Sequence, residues 1–130
     1  MSISWLVRRV RGQPAEVVEK PVKWGVHRVV KSEGHGTGYK GELPCTVDYK
    51  LLKAVFGKPD SGSGDGKVRK SWTLSIDGVI CTIYDWKTGR WPLKDIDDWQ
   101  IGGHSPLSVR LVKAVIAEHR EEVRCGYRNA

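Results

Sequence analysis

The segment Gly102-Gly103-His104-Ser105 stands directly before Pro106 and a run with helical apolar spacing. A helix start has free N–H groups and the positive end of the helix dipole, and both favour a bound anion. Two glycines permit close backbone approach, and His104 and Ser105 add donors. Arg110, one turn further on, can reach a phosphate held there. By itself the segment also reads as a tight, well-capped turn. Aromatic residues interleaved with positive charge shift the balance: Tyr84, Trp86-Lys87, Arg90-Trp91 and Trp99. A base stacked on Trp or Tyr gains about 1–3 kcal/mol. The expected ligand is therefore flat and anionic. Its expected site joins Tyr84, Trp86, Lys87, Arg90, Trp99, Gly102, Gly103, His104, Ser105 and Arg110 in a shallow pocket between a hairpin face and the helix start.

Other constellations carry less. Gly62 to Lys67 ends in Gly-Lys, but three residues separate Gly62 from Gly66 where a phosphate loop needs four. Val68 also stands where a magnesium-binding hydroxyl belongs, so this stretch reads as a linker. Asp60 and Asp65 lack the acidic ladder of a calcium loop. Asp95, Asp97 and Asp98 read as a solvated turn. Cys45 or Cys81 with His104 has no spacing that supports a nucleophile and base. Cys81 falls on a core face, and His119 falls on the apolar side of the last helix. No catalytic residue, metal ligand or cofactor is expected.

Composition agrees with a binding role. Lys+Arg 22 against Asp+Glu 15 gives a formal charge of +7, and six of the eleven aromatic residues are Trp. Basic charge with flat aromatic surface suits nucleotides or single-stranded nucleic acid, though a Trp-rich core would have the same composition. Residues 1–31 hold seven Lys/Arg and two Glu, a local +5. The three cysteines show no Cys-x-x-Cys spacing, which argues against a disulfide framework or zinc site and for a reducing cytosol. No apolar run approaches the roughly 20 residues of a membrane helix, and Met1 to Val10 does not read as a signal peptide.

The elements that must position these residues follow from periodicity. Ser2–Arg11 and Pro21–Lys31 alternate as strands, with a short strand or extended connection over 15–20. Glu33–Gly41, with four glycines, is expected as a loop. A helix follows, capped by Thr46, with Val47, Leu51, Leu52, Val55 and Phe56 as its apolar face and Gly57 at its end. Asp77-Gly78 sets a hairpin that pairs Ile76 with Val79, Leu74 with Cys81 and Trp72 with Ile83, all facing the core. Thr73, Ser75, Ile80, Thr82, Tyr84 and Trp86 then share the reverse face. Ser105 and Pro106 open a last helix reaching about Val123, with Leu107, Leu111, Val112, Val115, Ile116 and Val123 on one side. Arg110, Lys113, Arg120 and Arg124 form a basic stripe on the other side, with Ala114 and Ala117 beside it. The chain of 130 residues is thus read as one α+β domain, an antiparallel sheet with two helices packed on it.

Phe56-Gly57-Lys58-Pro59, Asp65-Gly66-Lys67-Val68, Trp72, Ile83-Tyr84-Asp85-Trp86-Lys87 and Trp99-Gln100-Ile101-Gly102-Gly103 together resemble a group of small bacteriophage and prophage proteins. The resemblance covers roughly residues 50–115 and leaves out the basic N-terminal third. The group is similar to phage anti-defence proteins of the anti-Thoeris type, which sequester cyclic ADP-ribose signals as oligomers built from a sheet and two helices. The resemblance implies a non-enzymatic protein of the host cytoplasm that captures an anionic nucleotide immune signal. It assigns no ligand residue. A homo-oligomer is expected from the alanine-flanked helix face and the excess of Trp. The alternative is a basic module that binds nucleic acid or inhibits a host protein through its helix stripe.

Overall fold

The computed structural model describes residues 5–8, 17–21 and 24–129, with burial and side-chain contacts over 24–123. In chain order the strands are β1 (Trp5–Arg8), β2 (Val17–Pro21), β3 (Val26–Arg28), β4 (Gly38–Glu42), β5 (Asp60–Ser61), β6 (Lys70–Ile76), β7 (Val79–Tyr84) and β8 (Gln100–Gly103). The helices are α1 (Tyr49–Phe56) and α2 (Leu107–Asn129), and short 3-10 turns occupy Lys31–Gly34 and Leu93–Asp95. β1 and β2 form a two-stranded antiparallel ribbon. The other six strands form one antiparallel sheet in the order β3-β6-β7-β8-β4, with β5 beside β6 next to β3. The fold is α+β, as the periodicity predicts.

The hairpin has the expected register: Ile76 opposite Val79, Leu74 opposite Cys81, Trp72 opposite Ile83. Asp77 and Gly78 both take positive φ, 49° and 85°, the backbone of a two-residue turn that matches strand twist. Trp72, Leu74, Ile76, Cys81 and Ile83 are wholly buried. They share one core with Leu52 and Phe56 of α1 and with Leu111, Val112, Val115 and Ile116 of α2. Both helices therefore cover the same face of the sheet.

Several boundaries differ from expectation. The α1 cap is Asp48, whose carboxylate accepts from the Leu51 N–H at 2.8 Å, and not Thr46. Val47 and Leu52, both buried, then hold the two positions of a hydrophobic staple. Of the strand expected over Pro21–Lys31, Pro21 ends β2 and Val26–Arg28 form β3, Val22 and Lys23 lying outside the described residues. The glycine-rich loop contains β4, which pairs with β8 at a bulge between Tyr39 and Gly41. Gly41 lies under Val109 of α2, so a strand with little side chain fits where the helix crosses close. The linker over 59–67 contains β5, and a Cβ on Gly62 would overlap the Val68 carbonyl. Ser105 does cap α2, accepting from the Leu107 N–H at 3.3 Å. Leu107 and Val123, assigned to the apolar side, are half-exposed, while Ala114 is buried in the chain's own core. Ala117, its neighbour on the expected alanine face, is half-buried and lines a groove along α2.

The largest correction concerns Gly102 and Gly103. They are strand residues of β8, flanked by β7 and β4, with Gly102 opposite Thr82 and Tyr39 and Gly103 opposite Cys81 and Gly38. Their backbones serve the sheet ladder and are buried, so they do not form a turn that presents free N–H groups. Crowding explains their composition. A Cβ on Gly102 would overlap Thr82 Oγ1 and stand 3.3 Å from the Tyr84 ring, and one on Gly103 would overlap Ser108 Oγ on the opposite face.

Candidate functional site

The Ile83-Tyr84-Asp85-Trp86-Lys87 segment divides its side chains between two faces and an anchor. Ile83 enters the core, and Tyr84 emerges half-buried on the reverse face. Asp85 is fully buried at the strand end. Its Oδ1 accepts from the Arg69 N–H at 2.8 Å and the Lys70 N–H at 3.0 Å. Its Oδ2 accepts from Thr88 Oγ1 at 2.5 Å and faces Arg69 Nε at 3.4 Å. Arg69 continues to the Trp91 carbonyl at 2.6 Å. A buried carboxylate satisfied by four donors fixes the turn in which Trp86 and Lys87 are presented. Lys87 holds a positive φ of 52°, and its N–H donates to the Lys67 carbonyl.

Above this anchor Trp86, 42% exposed, stands edge-on to Tyr84 with ring centroids 6.4 Å apart. Lys87 Nζ lies 5.5 Å from the Trp86 ring centre, a cation–π contact. The two rings wall a cavity of about 270 Å³ on the reverse face. Ser71, Thr73 and Thr82 belong to its lining from β6 and β7. Gly34, Thr37 and Gly38 line it from the 3-10 turn and β4, and Lys31, Ser63 and Val68 close it from the side. Tyr84 and Trp86 continue into an adjoining hollow lined by Tyr39 and Gln100.

The lining has one cation, Lys31, and no carboxylate. Lys31 Nζ donates to the carbonyls of Ser61 and Gly62, both at 2.9 Å. Asp65 is turned onto Ser63 Oγ and the Lys67 N–H, bonds that hold its carboxyl below the usual aspartate range. Ser71 Oγ is buried without a hydrogen-bond partner. Burial, and to a lesser degree neighbouring Tyr39, pushes the Tyr84 phenol above its ordinary value.

The expected site is therefore only partly assembled. Tyr84 and Trp86 line the pocket, Lys87 covers Trp86, and Gly102 leaves room beside Tyr84. Trp99 is a correction: it is fully buried, stacked on Tyr49 at 5.8 Å and edge-on to Trp72 at 5.5 Å. Gly103 belongs to the core side, against Ser108. His104, Ser105, Arg110 and Arg90 are not among the lining residues. α2 packs on the core face and the cavity opens on the other, so the sheet separates Arg110 from the aromatic wall. Sequence reasoning missed Lys31, Thr37, Ser63 and Ser71. Ser71 alone had a local signal, since it alternates in phase with Thr73.

A second groove, about 520 Å³, runs along α2 beside Lys113, Ile116 and Arg120. Glu42, Asp97 and Asp98 line it as well, and Arg120 donates to the Thr46 carbonyl. This part of the basic stripe faces acidic residues of the same chain. Arg124 of that stripe has its side chain outside the described residues. Among the described residues no three His, Cys, Asp or Glu side chains gather as metal ligands. No helix among the described residues is long and apolar enough to cross a membrane.

Comparison with protein-family models, with curated proteins and with solved structures found no match to this chain.

Proposed function

We propose that this protein is a non-enzymatic binding protein that captures an anionic nucleotide on the reverse face of its sheet. One observation carries the reading: Trp86 and Tyr84 wall a cavity that Lys31 borders, with hydroxyl groups and no carboxylate in its lining. Aromatic walls gain by stacking on a base, and a lone cation without an opposing acid tolerates a phosphate. The resemblance to phage anti-defence proteins supplies the setting, sequestration of a cyclic nucleotide immune signal such as a cyclic ADP-ribose in the host cytoplasm. Capture needs tight binding and slow release, with no bond cleaved. A homo-oligomer belongs to the same reading and is checked by light scattering.

The test mixes the protein with a host-cell nucleotide extract, isolates it, denatures it and identifies what is released by mass spectrometry. An intact nucleotide, absent when Trp86→Ala is used, supports the proposal. A cleaved product overturns the non-enzymatic role, and no retained nucleotide overturns the proposal. Retention of long oligonucleotides with a steep loss in salt would instead favour the nucleic-acid alternative.

A further inference from the structure

We infer that the pocket recognises the nucleoside part of its ligand, through stacking and neutral hydrogen bonds, and leaves the phosphate at the rim. This rests on the nucleotide reading above and specifies what that site reads.

Charge is scarce in the lining and hydroxyls are not. Lys31 is its one cation, no arginine lines the cavity, and two of the three Lys31 donors already brace the Ser61 and Gly62 carbonyls. A phosphate-reading site commonly presents an arginine fork or several cations, and this lining has one lysine and no arginine. Lys87, outside the lining, lies over the outer Trp86.

Ser71 Oγ is the sharpest observation. The residue is 8% exposed, lies in phase with Thr73 on β6, lines the cavity and has no partner for its hydroxyl. A buried hydroxyl left unpaired is costly, and native proteins satisfy nearly all of them. Ser71 belongs to the cavity lining, so a group bound there can supply that partner. Thr73 and Thr82 stand beside it, and the Tyr84 phenol keeps its proton at neutral pH. Hydroxyls both donate and accept, which matches the mixed donors and acceptors of a base edge and of ribose. A cavity of about 270 Å³ takes one such body rather than a chain of them.

The experiment titrates the full chain with the four ribonucleosides and their four 5′-monophosphates, following tryptophan fluorescence and calorimetry. At least one nucleoside should bind within tenfold of its monophosphate. Ser71→Ala should weaken that nucleoside at least tenfold with an unchanged or raised melting temperature, a combination that a merely structural serine would not give. If every monophosphate that binds does so more than tenfold tighter than its nucleoside, the pocket reads phosphate; this inference falls and nucleotide capture stands. If Ser71→Ala binds the nucleoside as the parent does, the inference falls as well. If none of the eight compounds binds, the inference falls, and the extract experiment decides the nucleotide reading separately.

Discussion

Gly103 and Ser108 touch so closely that a Cβ on the glycine would overlap the serine Oγ and stand 2.6 Å from its Cβ. Strand β8 and helix α2 meet at this point with only the Ser108 side chain between them. Gly103→Ala should therefore lower stability by about 1–3 kcal/mol, the usual range for overpacking. Adding Ser108→Gly removes the overlapping atoms and should recover part of that loss, although glycine in a helix costs about 1 kcal/mol itself. Urea denaturation of both single variants and the pair measures the coupling. Strictly additive losses would contradict the contact.

Trp72 and Trp86 separate folding from binding. Trp72 is wholly buried, and its indole N–H donates to the Gly57 carbonyl at 2.8 Å. Trp72→Ala should cost roughly 3–5 kcal/mol, the range for emptying a large aromatic site. Trp86→Ala should leave the melting temperature nearly unchanged and abolish nucleotide retention. Equal melting losses in the two variants would show that the sheet faces are wrongly assigned.

Asp85 should behave as a structural acid that governs the site indirectly. Asp85→Ala removes the acceptor of two backbone N–H groups, Thr88 and Arg69. Breaking a buried pair of this kind costs about 3–5 kcal/mol. Asp85→Asn, which keeps one acceptor oxygen, should lose less. In both variants the Trp86 fluorescence anisotropy should fall, because the turn that presents the ring loses its anchor.

Much of this molecule is legible from short-range pattern. Asp77-Gly78 and the alternation around it give the hairpin register without any distant information. Glycine pairs are harder, because a turn and a crowded central strand both demand them. Gly102 and Gly103 lie between Thr82 on one face and Ser108 on the other, neighbours that no local window contains. Trp99 has the same difficulty: next to Asp97 and Asp98 it looks like a surface ring, yet Tyr49 and Trp72 enclose it. Tyr84 and Trp86 were readable as a face, whereas Lys31 reaches that face only through the sheet order.

Alkaline pH should expose the burial of Cys81. Burial pushes its thiol from an ordinary 9.0 up to about 11. Between those values the unfolded chain loses the proton while the folded chain keeps it, so the folded state binds more protons and stability falls as pH rises. The contribution is fully present below pH 9.0 and fades up to about 11, with a slope approaching about 1.4 kcal/mol per pH unit. Cys81→Ala should flatten this part of the stability profile in denaturant titrations. An unchanged slope would mean that another group titrates there.

Strands β3 and β4 are close in sequence yet occupy opposite edges of the sheet, and the 3-10 turn between them packs over Thr73 and Thr82. The chain from 29 to 37 is thus a strap drawn across the whole width of the reverse face. The strap can span the face only once β6, β7 and β8 are paired, so it should close late in folding. Its detachment is also a partial opening that leaves the helix-covered core intact. A ligand held between Gly34, Thr37 and the floor beneath would fasten both edges together. Amide hydrogen exchange in β3 and β4 would then slow in step with occupancy, while the core amides of β7 keep their own rate.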